Sequence, residues 1–265
     1  MQSELEALIA PAVNIAKDAG SRIMDIYETD FEIETKADNS PLTTADKASH
    51  NIIVCELKKL TPDIPILSEE SIEIPYAERS KWDEYWLIDP LDGTREFIAR
   101  NGEFTVNIAL IRNHKPVLGV VHVPARDQDY FGHQGVAAFK RDAEELPRQI
   151  RVTTQAHSPV RVVGSRSHRA HSLDRYLNNL GDHVMVPMGS SLKLCLVAAG
   201  EADVYPRLGP TSEWDIAAAH AVVDCAGGHV TGMDGQAIQY NTKSDVLNPH
   251  FIVFGDVSRD WTDYA

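Results

Sequence analysis

The segment Trp86-Leu87-Ile88-Asp89-Pro90-Leu91-Asp92-Gly93-Thr94 decides how this chain is read. An apolar run ends in two carboxylates three residues apart, with Pro between them and Gly-Thr behind. The run reads as a buried strand, and the Pro fixes a turn at its end. Such a turn can aim Asp89, Asp92 and the Leu91 carbonyl at one point, offering the hard oxygen ligands that Mg²⁺ prefers. The N–H groups of Gly93 and Thr94 can then face a phosphate, above all if they open a helix. An ordinary Asp-Gly turn would look the same, and the segment alone does not separate the two.

Upstream of it, Leu5, Leu8, Ile9, Ala12, Ile15, Ala16, Ala19, Ile23 and Ile26 recur every three or four residues, which predicts an amphipathic helix over much of 3–28. Pro11 is either a kink in it or its true start. A second helix is predicted from about Thr44 to Leu60, with Ile52, Ile53, Leu57 and Leu60 on one face and Thr61-Pro62-Asp63 as its stop. Downstream, Phe104, Val106, Ile108 and Leu110 alternate with period two, and Val117 to Val123 follows a turn. Consecutive antiparallel strands are expected here, then a hairpin over Tyr130 to Phe139.

Ala143 to Gln149 reads as a polar connector, and a soft boundary is drawn there. It divides one domain of 1–265 into an α+β half, 1–148, and an α/β half, 149–265. In the second half, apolar runs at Val160 to Val163, Val184 to Val186, Ala202 to Tyr205 and Phe251 to Phe254 alternate with helical patterns near 171–180, 190–199 and 214–226. Gly227-Gly228 supplies a left-handed stop for the last helix. The pattern is that of a layered α/β protein.

Three further acidic positions join the pair. Ser68-Glu69-Glu70 follows the apolar run Ile64 to Leu67, and paired glutamates are also common on plain surfaces. Asp46, behind Thr43-Thr44, either serves chemistry or favours the positive end of a helix. Ser212-Glu213-Trp214-Asp215 opens an apolar helix and has the spacing of a capping box. Taken together, carboxylates at several strand ends and helix starts make a binuclear metal centre the reading to test. In such a centre two ions roughly 3.5 to 4 Å apart activate a water and stabilise the leaving oxygen.

Composition narrows the alternatives. The chain has 265 residues, with 25 Lys and Arg against 39 Asp and Glu, a formal net charge of -14. That tells against binding nucleic acid polymers. With 43% hydrophobic and 24% charged residues the chain is expected to fold around a substantial core. The N-terminus lacks the features of a secretory signal, and no apolar stretch approaches the roughly 20 residues of a membrane span, so a cytoplasmic protein is expected. Cys55, Cys195 and Cys225 are widely spaced among apolar residues and are expected to be reduced core thiols. P-loop, dinucleotide, zinc-protease and α/β-hydrolase motifs are all missing from the sequence.

Glu69 in Ser68-Glu69-Glu70, the run Asp89 to Thr94, and Trp214-Asp215 resemble, in order and spacing, the signature motifs of the inositol monophosphatase superfamily of Mg²⁺-dependent, lithium-sensitive phosphatases. Within it, Asn101 to Leu110, Gly164-Ser165-Arg166-Ser167-His168 and Gly189-Ser190-Ser191-Leu192-Lys193 resemble segments of the CysQ-type 3'(2'),5'-bisphosphate nucleotidases. Arg95 departs from the pattern, where Lys is expected. The resemblance implies a five-layer αβαβα sandwich with its site between the two halves. It also implies removal of the 3'-phosphate from 3'-phosphoadenosine 5'-phosphate, a by-product of sulfate assimilation.

On this resemblance one Mg²⁺ is assigned to Glu69, Asp89 and the Leu91 carbonyl, and a second to Asp89, Asp92 and Asp215. The resemblance adds Asp46 and Thr94 as the pair that activates water, with a third, weaker ion near Asp46. Catalytic roles thus fall on Asp46, Glu69 and Thr94. Substrate contacts fall on Glu69, Leu91, Asp92, Gly93, Thr94, Ser165, Arg166, His168, Ser190, Lys193 and Asp215. The expected partner is a small nucleotide bisphosphate, taken up by a monomer or homodimer in the cytoplasm or loosely held on the inner face of its membrane. Inositol monophosphate or a sugar bisphosphate is the alternative substrate, and a nucleotide sensor without turnover is the reading from a different class.

Overall fold

The computed structural model describes residues 2–29, 33–35, 41–71, 74–165 and 171–265. Its first helix, α1 (Gln2–Tyr27), buries Leu5, Leu8, Ala12, Ile15, Ala16, Ala19 and Ile23 along one stripe. It runs through Pro11, which forgoes one bond to the Ala7 carbonyl without ending the helix. A short antiparallel pair, β1 (Ile33–Thr35) and β2 (Pro41–Thr43), leads into α2 (Thr44–Leu60).

The chain then builds a seven-stranded sheet. Its strands are β3 (Ile66–Ser68), β4 (Glu84–Asp92), β5 (Thr105–Arg112), β6 (Lys115–Val123), β7 (Gln128–His133), β8 (Ala138–Asp142) and β9 (Arg148–Ile150), in that spatial order. Only β3 and β4 run parallel; the rest pair antiparallel, as consecutive hairpins should. Two short helices, α3 (Tyr76–Arg79) and α4 (Thr94–Ile98), flank β4 in sequence.

A second, five-stranded sheet has the order β11-β10-β12-β14-β13. It comprises β10 (Val160–Gly164), β11 (His183–Pro187), β12 (Val204–Arg207), β13 (His229–Gly232) and β14 (Phe251–Phe254), four running in one direction and β14 alone running against them. Three helices accompany it: α5 (His171–Leu180), α6 (Leu192–Ala198) and α7 (Glu213–Cys225).

The alternation along β4 and β5 sets the layers. Trp86, Ile88, Val106, Ile108 and Leu110 point into one core with α1 and α2. Tyr85, Leu87, Ala109 and Ile111 point into another, shared with α6, α7 and the second sheet. A third core lies beyond that sheet, where Leu173, Tyr176 and Leu177 of α5 meet Trp261. Helices, sheet, helices, sheet and helix thus stack as five layers, as the resemblance implied. Close packing of the middle layer depends on Gly119: a Cβ there would lie 2.1 Å from the Ala218 carbonyl oxygen of α7.

Some expectations need adjusting. The Ala143 to Gln149 connector ends inside β9, whose Arg148 and Gln149 pair with β8. Polar strands such as β13 (His229–Gly232) escaped the apolar pattern because their pairing, and not their side chains, defines them. Cys55 is not a core thiol: it lies on the exposed side of α2, while Cys195 is buried and Cys225 partly so. All three are free.

Candidate active site

In a regular strand, residues three apart point to opposite faces. Asp89 and Asp92 escape this because β4 bulges between them: Asp89 lies opposite Asn107, Asp92 opposite Thr105, so three steps on β4 match two on β5. The extra residue brings both carboxylates onto the face that carries Leu87 and Ala109 further along. Pro90 suits the bulge, having no N–H to leave unpaired. Its carbonyl accepts from Ser49 Oγ of α2 at 2.7 Å.

That face looks toward the starts of α6 and α7. Asp215, in the first turn of α7, accepts from the Ser212 N–H at 2.9 Å. Glu69 follows β3, its N–H donating to the Ile88 carbonyl at 3.2 Å, which holds it beside the end of β4. Oxygens of Glu69, Asp89 and Asp215 consequently all lie within 4.8 Å of one another. Asp92 stands next to them, with its Oδ2 accepting from the Ser191 N–H.

The electrostatics of this group is unfavourable as it stands. Burial first, then the charges of Glu69, Asp92 and Asp215, push the Asp89 carboxyl well above its ordinary range. Burial first, then Asp92 and Glu69, do the same to Asp215. Asp92 is raised by burial, against the pull of Lys193 and the Ser191 N–H. Among the described residues no Lys or Arg forms an ion pair with Asp89 or Asp215. Oxygen-only donors crowded together in this way, and raised by burial and by one another, fit a divalent hard metal ion.

After Asp92 the chain turns at Gly93, whose φ of +88° suits glycine. A Cβ there would also crowd the Glu103 carbonyl oxygen at 3.2 Å. Thr94 opens α4, and its hydroxyl lies 3.2 Å from Asp46 Oδ1 and 3.4 Å from the Leu91 carbonyl. The other Asp46 oxygen accepts from the Thr43 N–H and hydroxyl at 2.8 and 2.6 Å. Asp46 therefore caps α2 and reaches the candidate site at once; the two readings of it are compatible.

Beside the acids lies a cavity of about 420 Å³, whose wall includes Arg95, Ser165, Ser172, Tyr205 and Arg207. Tyr205 and Arg207 also line a small recess with Asp92, Ser190, Lys193 and Asp215. Lys193 is buried there, donates to the Ser190 carbonyl at 2.5 Å, and is pushed down to about 8, first by burial. Ser165 reaches the cavity wall, whereas Arg166 and His168 lie outside the described residues.

Sequence reasoning missed Tyr205, Arg207, Thr105 and Asn107 as site neighbours, and it placed Ser191 in a nucleotide-holding segment without its contacts to Asp92 and Asn107. The signal for Thr105 and Asn107 was present: they occupy the positions between the apolar Phe104, Val106 and Ile108, hence the opposite face of β5. Arg207, a cation directly behind the apolar run ending at Tyr205, was also legible in principle.

The inositol monophosphatase family model matches residues 4–257. The chain belongs to the inositol monophosphatase family. Enzymes of this family are metal-dependent phosphatases. Among curated relatives, the 3'(2'),5'-bisphosphate nucleotidase CysQ of Salmonella typhimurium (strain LT2) is 48% identical over 248 residues, covering 93% of this chain and 99% of that one. Its counterpart in Escherichia coli (strain K12) is 48% identical over 241 residues, covering 90% and 96%. Among solved structures, CysQ from Bacteroides thetaiotaomicron superposes with a TM-score of 0.82 at 40% identity, covering 98% of this chain and 99% of that one. An inositol monophosphatase from Anabaena, at 23% identity and a TM-score of 0.75 over 99% and 96%, shares the fold.

Proposed function

We propose that this member of the inositol monophosphatase family is a Mg²⁺-dependent 3'(2'),5'-bisphosphate nucleotidase that converts 3'-phosphoadenosine 5'-phosphate to AMP and phosphate. The observation that carries the reading is the meeting of Glu69, Asp89 and Asp215 within 4.8 Å, next to Asp92 and the Thr94–Asp46 pair. The 48% identity to curated nucleotidases over most of the chain supports the substrate. One ion is assigned to Glu69, Asp89 and the Leu91 carbonyl, a second to Asp89, Asp92 and Asp215, and a third, weaker one to the neighbourhood of Asp46. Mg²⁺, when bound, supplies Lewis-acid neutralisation of the phosphate and lowers the pKa of water.

The chain's own groups do the remaining work. Thr94 Oγ1 takes the proton of the attacking water as its own proton passes to Asp46 Oδ1, since a hydroxyl alone is a poor base. The new P–O bond forms as the bond to the 3'-oxygen breaks, and that oxygen takes a proton from solvent. The Gly93 and Thr94 N–H groups face the phosphate oxygens and hold them for in-line attack. Ser165, Arg166, His168, Ser190 and Lys193 are assigned to the rest of the nucleotide, with Arg207 now added from the cavity wall. The two halves, 1–148 and 149–265, then supply metal-binding and nucleotide-binding groups respectively, apart from Asp215.

In the same reading the substrate is a small diffusible nucleotide met in the cytoplasm. Among the described residues no helix is long and apolar enough to cross a membrane. The test is phosphate release from 3'-phosphoadenosine 5'-phosphate and from inositol 1-phosphate in parallel, with Mg²⁺ and then with chelator. A strong Mg²⁺-dependent preference for the nucleotide is expected. Turnover of the inositol ester alone would overturn the substrate assignment, and turnover of neither would favour a sensor or another phosphate ester.

A further inference from the structure

Asn107 is 1% exposed and sits directly opposite Asp89 across the β4–β5 pair. Directly opposed residues of an antiparallel pair put their side chains on one face, with Cβ atoms about 4.5–5.5 Å apart. Its carbonyl oxygen accepts from Ser191 Oγ at 2.8 Å. Its amide nitrogen, by contrast, is buried and makes no hydrogen bond of ordinary geometry. That nitrogen is nonetheless one of the groups that favour the charged form of Asp92, after the larger effects of burial, Lys193 and the Ser191 N–H. A buried amide donor needs an acceptor, and the Asp92 carboxylate is the one on which it acts.

The amide cannot gain by turning over, since that would set its carbonyl oxygen against the carboxylates. Ser191 fixes the orientation from the other side. Its hydroxyl proton goes to Asn107 Oδ1, its oxygen is 2.9 Å from Thr105 Oγ1, and its N–H goes to Asp92. The same turn is clipped once more where the Gly189 N–H donates to Glu103 Oε2 at 2.8 Å. The turn that carries Ser190 and leads to Lys193 is thus tied by buried polar groups to β5, to Glu103 just before it and to the bulge of β4.

Resting on the reading of the acidic cluster as a metal centre, we infer that Asn107 and Ser191 are positioning residues of that centre. The Asn107 N–H groups orient the Asp89 and Asp92 carboxylates for the cation. Ser191 holds the amide in that orientation and keeps the 189–192 turn in register with the metal loop. Neither residue touches the reacting phosphate. Outer groups that orient carboxylate ligands commonly affect metal affinity by 10–100-fold.

The test uses the full chain, wild type, Asn107→Ala and Ser191→Ala. Mg²⁺ binding without substrate is measured by calorimetry, thermal unfolding is followed in EDTA, and kcat and KM for 3'-phosphoadenosine 5'-phosphate are measured at saturating Mg²⁺. The Asn107→Ala protein is expected to bind Mg²⁺ about tenfold more weakly, while KM for the nucleotide stays within about twofold. Ser191→Ala moves the same way by less, because its N–H still reaches Asp92; it also carries the test should Asn107→Ala fail to fold. Wild-type Mg²⁺ affinity in the variants, with only a lower melting temperature in EDTA, would make the network merely structural and overturn the inference. A wild-type protein that binds no Mg²⁺ overturns the metal centre and this inference together, and is distinguishable because it needs no variant.

Discussion

Thr94 Oγ1 stands 3.2 Å from Asp46 Oδ1, joining the first residue of α4 to the carboxylate that caps α2. Since Asp46 Oδ2 is held by both donors of Thr43, Oδ1 is the oxygen turned to Thr94. Replacing Thr94 by Val keeps the shape and removes the hydroxyl through which the proton passes. We expect kcat to fall by roughly 10²–10⁴, the span of general-base contributions, with Mg²⁺ affinity near that of wild type. Phosphate release at saturating Mg²⁺ checks this, and a loss of less than about threefold would remove Thr94 from the proton path.

The mutual repulsion at the metal loop has a separate consequence. Asp89 is held above its ordinary range by burial and by three neighbouring carboxylates, so its ionised form opposes folding when no cation is present. Asp89→Asn removes one charge and little volume. It should abolish turnover yet raise the melting temperature in EDTA, by about 2–4 °C for each 1 kcal/mol relieved in a chain of this size. Mg²⁺ should in turn stabilise the wild type far more than the variant. A variant less stable than wild type in EDTA would contradict the repulsion argument.

These two sites also mark how much could be seen beforehand. Asp89, Asp92 and Gly93-Thr94 were legible because a short stretch of sequence carries both ligands and turn, α1 and α2 because their apolar spacing is regular, and α7 because a helix-start signal precedes a continuous apolar run. The bulge that brings Asp89 and Asp92 to one face was not, since period-two alternation would have put them on opposite faces. Nor was the tie between Asn107 and Ser191, 84 positions apart, which exists only once the turn before α6 meets β5. Cys55 was misplaced because its apolar neighbours Ile52, Ile53 and Val54 say nothing about which side of α2 it occupies. Local pattern fixes elements and ligand clusters, whereas contacts between the halves arise from packing that spacing does not encode.

Lys193 brings a pH dependence that is separate from the general base. Burial lowers its ammonium to about 8, against the attraction of Asp92. A lysine lowered in this way is charged below that value and neutral above it. If the charge helps to hold the nucleotide, kcat/KM for 3'-phosphoadenosine 5'-phosphate should fall as pH rises through about 8. Lys193→Gln should show a lower kcat/KM at pH 7 and lose that alkaline limb. A variant that keeps the wild-type alkaline limb would assign it to another group.

Stability at low pH should be governed far from the site. Asp129 on β7 is fully buried, facing His122 of β6 and Arg141 of β8 as direct cross-strand neighbours. Its oxygens accept from His122 Nδ1 at 2.8 Å and from Arg141 Nε and Nη2 at 2.8 and 2.6 Å. Room for this row requires Gly20 of α1, where a Cβ would come within 2.4 Å of the His122 ring. Burial alone would raise the Asp129 carboxyl, but the hydrogen bonds and charges of His122 and Arg141 outweigh it and hold it low. A carboxyl lowered on folding contributes stability that is complete above its unfolded value near 3.9 and is lost as pH falls through the folded value. Asp129→Asn should therefore be about 3 kcal/mol less stable at neutral pH, the order found for breaking buried ion pairs. The gap should narrow steadily below about pH 4. Urea unfolding of both proteins from pH 7 down to pH 2 decides it: a gap that does not change with pH would mean that the loss comes from packing and not from the charge.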